Sequence, residues 1–146
     1  MSPILAVIFD LDGTLLDTIV DITAASNRVY EPRGLGTFTD DEMKTLVGDG
    51  AEELIRRVFA MRGKPAPSDA VVTEILDDYR RAYQACWHEH SRPYDGVPGL
   101  LAALAGRGLR TAVLSNKSDI YTSRMTDALL AAHRFDIVRG ARPGVP

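Results

Sequence analysis

Val7-Ile8-Phe9-Asp10-Leu11-Asp12-Gly13-Thr14-Leu15 joins an apolar run to two acids and a glycine. Ile4 and Leu5 extend the run toward the N-terminus. A continuous apolar run of this kind predicts a strand buried in a parallel sheet. Such sheets bind ligands just beyond the carboxyl ends of their strands. The run therefore delivers Asp10 and Asp12 to that edge, and Gly13 lets the backbone turn there. One carboxylate has the chemistry to attack phosphorus and form an aspartyl phosphate. The other has the chemistry to give a proton to the leaving oxygen and later take one from water. A magnesium ion between carboxylate and phosphate oxygens would offset the negative charge. A bare Asp-x-Asp-Gly reads equally as a strand end followed by an acidic turn, because both residue types are common turn formers.

The chain has 146 residues, enough for about one ordinary domain. Hydrophobic residues make up 45% and charged residues 25%, which fits a globular protein and not a disordered one. The formal net charge is −3 and no basic stripe is visible, so nucleic acid is not an expected partner. The single cysteine, Cys86, has no internal disulfide partner and points to a reducing compartment. No apolar stretch approaches the roughly 20 residues of a membrane span, so no membrane partner is expected. The N-terminal run has no basic leader and passes directly into acids, unlike a signal peptide. These features predict a cytoplasmic protein. They leave its oligomeric state open.

Beyond Thr14 the three-to-four spacing of Ile19, Ile22, Ala25, Ser26 and Val29 predicts a helix to about Tyr30, capped by Asp17 or Thr18. Thr39 with Glu42 predicts a capping box opening a short helix. Leu54, Ile55, Val58 and Phe59 mark another helix, ended by Gly63 and the prolines Pro65 and Pro67. Gly48 and Gly50 precede that helix. They fit a backbone that offers N–H groups to an anion, and equally an ordinary interhelical turn. Ser68 is expected to cap a longer helix running to about His90, with Val72, Ile75, Tyr79, Ala82, Cys86 and Trp87 inward. His88 and His90 point in different directions on such a helix and make a poor metal pair. From about Asp17 to Arg92 the sequence reads as helix after helix without a clear strand. Arg92 to Gly99 is a Pro/Gly-rich linker, with Pro98 opening a helix. Leu109–Leu114 predicts a second core strand that ends at Ser115-Asn116-Lys117. A helix over about 119–132, with Ile120, Met125 and Leu129 inward, and a short third strand at 135–138 complete the pattern. His133 fits the C-terminal end of that helix through its dipole.

Phe9-Asp10-Leu11-Asp12-Gly13-Thr14-Leu15-Leu16-Asp17-Thr18 resembles the first motif of the haloacid dehalogenase-like (HAD) hydrolase superfamily almost letter for letter. Ser115, after an apolar strand, resembles that superfamily's second motif, and the Ser-Asn-Lys string suits its phosphoglycolate phosphatase-like group. The resemblance implies an α/β fold: a partial Rossmann-like parallel-sheet core, residues 1–16 with 93–146, and an inserted all-helical cap over 17–92. It implies Asp10 as nucleophile and metal ligand. It gives Asp12 as general acid/base, its main-chain carbonyl also on Mg2+. Gly13, Ser115 and Asn116 would hold the phosphoryl group, and Gly48 and Gly50 would face substrate from the cap. An acid at Asp12 suits a phosphoester, whose leaving group needs a proton, and not a carbon–halogen bond. The implied activity is hydrolysis of a small, phosphoglycolate-like phosphate monoester, the partner a small phosphorylated metabolite. A phosphomutase of the same superfamily, or a non-catalytic partial domain, are the alternatives.

Two further motifs of the superfamily are not found: a third-motif lysine, and fourth-motif acids after an apolar strand. Lys117 is the last lysine, a candidate for a peripheral contact alone. Arg139 or Arg142 could supply positive charge, but arginine does not simply replace lysine. The expectation is a core of about three strands with an exposed edge, belonging to a fragment or a chain completed elsewhere. Without the missing groups, weak metal binding and little turnover are expected.

Overall fold

A computed structural model describes residues 4–142. The fold is mixed α/β and divides into two compact units. The first comprises residues up to Asp17 together with those from Arg92 onward, and the second spans Thr18–Ser91.

In the first unit, strands β1 (Ala6–Phe9), β4 (Arg110–Ser118) and β5 (Ile137–Ala141) form one parallel sheet in the order β1-β4-β5. Helices α5 (Val97–Gly106) and α6 (Asp119–Leu129) connect to β4 from either side in sequence. A second, minimal ladder pairs β2 (Leu16–Asp17) with β3 (Arg92–Pro93) antiparallel. These two-residue strands carry no periodicity, which is why the sequence reads as strand-free there. The β4 strand also runs past its expected end, taking in Ser115, Asn116 and Lys117.

β1 forms as a parallel strand, but it is not buried. Thr111 and Val113 of β4 are buried, beside Val7 and Phe9 in the register. The alternate row, Ile8–Ala112–Ile137, lies on the opposite face, because successive side chains of a strand point to opposite sides. On that face Ile8 is 67% exposed, and Leu114 and Ile137 are exposed as well. An unbroken apolar run is what two covered faces require. Among the described residues only one face has that cover. Ile120 of α6 is likewise exposed and not inward, while Thr122, Met125 and Thr126 make the buried side of that helix. Their hydroxyls bond back to the helix carbonyls of Ser118 and Thr122, so polar side chains fill an inward face that apolar spacing does not reveal.

The second unit is all helical: α1 (Ile19–Tyr30), α2 (Asp40–Lys44), α3 (Ala51–Met61) and α4 (Asp69–Cys86), with a 3-10 turn at Glu31–Arg33. Tyr30, Ile55, Ile75 and Tyr83 are fully buried in its core. Tyr79 stacks on Tyr83, with ring centroids 5.7 Å apart. Thr39 and Glu42 form the expected capping box, and the Ser68 hydroxyl accepts from the Val71 amide. The α1 N-cap is Thr18, without a side-chain bond. The helix expected to reach His90 ends at Cys86. Asp21 explains the early stop. Its buried carboxylate accepts from the His90 and Ser91 amides, which a continuing helix would bond to its own carbonyls.

Candidate active site

β1 hands the chain to a tight turn. The amides of Thr14, Leu15 and Leu16 converge on the Leu11 carbonyl, and the Gly13 amide donates to the Leu16 carbonyl at 2.9 Å. Gly13 sits at φ 77°, a left-handed conformation natural to glycine. Leu11, Leu15 and Leu16 are buried, which anchors the turn. Asp10 stays exposed, with Oδ1 accepting from the Leu11 amide at 2.7 Å. Asp12 is half-buried beside it.

β4 brings the second half of the site. Leu114 pairs with Arg139 and Ser118 with Ala141, so β4 takes four steps where β5 takes two. The strand bulges at Ser115-Asn116-Lys117, and bulges re-aim side chains at strand ends. Ser115 is buried, and its Oγ accepts from the Lys117 amide at 3.3 Å. Asn116 is exposed. The Lys117 Nζ donates to both carboxylate oxygens of Asp12, at 3.0 and 3.2 Å. Its side chain is only 8% exposed. Lys117 therefore is not peripheral. The sequence held a signal for this, since Thr111, Val113, Ser115 and Lys117 keep the strand's period of two once β4 is extended past Ser115.

The other cations considered from sequence are engaged elsewhere. Arg142 pairs with Asp119 at 2.8 Å, and Arg139 donates to the Val138 carbonyl at 2.8 Å. The Gly140 amide and the Arg142 guanidinium hold the Asp119 carboxyl below its ordinary range. His133 lies past the end of α6, and its ring bonds the Thr111 hydroxyl at 2.8 Å, so a local contact and not the helix dipole accounts for it. Gly48 and Gly50 belong to the helical unit. Gly50 directly precedes α3, and Arg57 ties the intervening Asp49 back to that helix.

Among the described residues, no three His, Cys, Asp or Glu side chains cluster as a metal cage. Magnesium does not require one, because it keeps several waters and takes one or two carboxylates along with substrate phosphate oxygens. The exposed Asp10 carboxylate and the Asp12 carbonyl are hard oxygen donors of that kind. The donor set fits magnesium.

The family model for haloacid dehalogenase-like hydrolases matches residues 7–143. The chain belongs to this family. HAD relatives include a phosphoglycolate phosphatase from Agrobacterium fabrum, 36% identical over 88% of this chain and 54% of its own length. An N-acetylmuramic acid 6-phosphate phosphatase from Pseudomonas aeruginosa is 35% identical over 91% of this chain and 57% of its own. The chain thus spans just over half the length of these curated relatives. The crystal structure of a predicted phosphoglycolate phosphatase from Haemophilus somnus has the same fold. It aligns with a TM-score of 0.85 at 24% identity, over 99% of this chain and 67% of its own. No helix among the described residues is long and apolar enough to cross a membrane.

Proposed function

We propose that the protein hydrolyses a small organic phosphate monoester of the phosphoglycolate type through an aspartyl-phosphate intermediate. The observation that carries this is the Asp10-x-Asp12 turn at the carboxyl end of β1, adjoined by Ser115 and Lys117 at the end of β4. An Asp10 carboxylate oxygen attacks phosphorus as the ester P–O bond breaks, and the protonated Asp12 gives its proton to the departing alkoxide. Asp12, now ionised, then takes a proton from water as that water attacks phosphorus. The acyl-phosphate P–O bond breaks, releasing inorganic phosphate and restoring Asp10. Gly13, Ser115 and Asn116 hold the phosphoryl oxygens. Phosphatases of this family are generally metal-dependent, and magnesium bound at Asp10 and the Asp12 carbonyl would supply charge neutralisation.

The helical unit acts as the cap in this proposal, and Gly48 and Gly50 are its candidate substrate-binding residues. The working compartment is the cytoplasm, where the buried thiol of Cys86 stays reduced. A sugar phosphate is the second candidate substrate, on the strength of the N-acetylmuramic acid 6-phosphate phosphatase relative. The test is phosphate release by the full-length gene product from 2-phosphoglycolate and a panel of sugar phosphates, with and without magnesium. Magnesium-dependent release that Asp10→Asn abolishes is the expected result. Release undiminished in Asp10→Asn would overturn the mechanism.

A further inference from the structure

The proposed site brings two acids together, and a phosphate monoester adds negative charge of its own. Positive charge must meet it for the ester to bind. Lys117 stands where that charge is needed. Its side chain is only 8% exposed, and a charge so far removed from water needs a partner. In this structure its pair is the Asp12 carboxylate, held through both oxygens. The bulged end of β4 fixes the approach, with the Lys117 amide on Ser115 Oγ and the Lys117 carbonyl accepting from the Thr122 hydroxyl at 3.2 Å. The backbone of Lys117 is thus tied at both ends, while its side chain ends in an ammonium, which carries three donors. An ammonium is a compact point charge on a flexible stem, able to shift between acceptors without moving the strand.

We propose that Lys117 is a substrate-contacting residue, its ammonium shared between Asp12 and the phosphoryl oxygens of the bound ester. The ligand it recognises is a phosphate dianion, whatever organic group that phosphate carries. This rests on the phosphatase function proposed above, but it makes a separate claim about binding. Lys117 also faces Asp12 when no substrate is present, keeping that carboxylate oriented toward the phosphoryl position.

The test measures the affinity of the full-length protein for inorganic phosphate and, separately, for magnesium alone, by titration calorimetry. The proteins compared are wild type, Lys117→Met and Lys117→Arg, each checked for wild-type circular dichroism. The expected result is a phosphate affinity about 10-fold weaker in Lys117→Met, the loss of one charge-assisted contact. Lys117→Arg should recover part of it, and magnesium affinity should not fall in either variant. Equal phosphate affinity in wild type and Lys117→Met overturns the proposal, as does a parallel fall in magnesium affinity, which would mean general damage to the Asp10–Asp12 turn. No phosphate binding by wild type also overturns it. Lys117-dependent phosphate binding by a protein that hydrolyses none of the panel supports the proposal and refutes the phosphatase function instead.

Discussion

Asp21 and Ser91 join the first turn of the helical unit to its last residue. The Ser91 hydroxyl and amide donate to one Asp21 oxygen at 2.7 and 2.8 Å. The His90 amide adds a donor at 3.0 Å, and the carboxylate is fully buried. Asp21→Ala leaves two backbone amides without their acceptor, and unsatisfied buried donors are costly. The expected loss is about 3 kcal/mol of stability by urea unfolding.

The same contact sets a pH dependence. Burial pushes the Asp21 carboxyl up, but the Ser91 hydroxyl and the His90 and Ser91 amides together bring it below its ordinary value. A carboxyl lowered in the folded state contributes stability above its unfolded pKa of about 3.9, and that contribution is lost as pH falls through the lower folded value. The melting-temperature gap between wild type and Asp21→Asn should therefore shrink as pH falls below about 4. A gap that widens in acid would contradict this assignment.

Gly13→Ala should destabilise by about 1–2 kcal/mol, the cost of a left-handed conformation for a residue with a Cβ. No atom lies within 4 Å of where that Cβ would be, so the penalty is conformational alone. Gly13→Asn should cost less, since asparagine tolerates this region better. Thermal unfolding of the two variants orders them.

Gly140 is needed for a different reason. A Cβ there would lie 2.5 Å from the Lys117 carbonyl oxygen and 2.7 Å from the Asp119 Cα, and would also press on the Thr122 hydroxyl. Gly140→Ala should push β5 off the turn that carries Lys117, at about 1–3 kcal/mol. Adding Thr122→Ala removes one of the three clashes and should recover only part of the loss in a denaturant titration.

Thr39→Ala removes the acceptor for the Glu42 amide, and Glu42→Ala removes the acceptor for the Thr39 amide. Loss of such a cap costs about 1 kcal/mol. Each single variant should show it in chemical denaturation. The double variant should fall short of the sum, because the two bonds form one reciprocal unit.

The helices were legible because their signals are local: Thr39 with Glu42, Ser68 as a cap, and the spacing of Leu54, Ile55 and Val58. The Asp10–Gly13 turn was legible for the same reason. What could not be read depended on distant partners. The α4 helix stops at Cys86 because Asp21, far back in sequence, captures the following amides. The exposure of Ile8 depends on what covers a sheet face, and an apolar run records the need for cover without naming its source. Lys117 was missed because the strand was expected to end at Leu114, and its bulge is set by the register with β5.

The β2–β3 ladder pairs Leu16 with Pro93 and Asp17 with Arg92, so the chain leaves and re-enters the sheet-bearing unit at neighbouring positions. Topologically the whole helical unit is the loop of a hairpin. Lengthening such a loop adds closure entropy only slowly, as the logarithm of its length. The junction therefore tolerates exchange: a different helical module, or a short turn, could be spliced between Asp17 and Arg92 without resetting the Asp10–Lys117 edge. Two cuts at adjacent points would then exchange one unit and leave the strands of the other as they are.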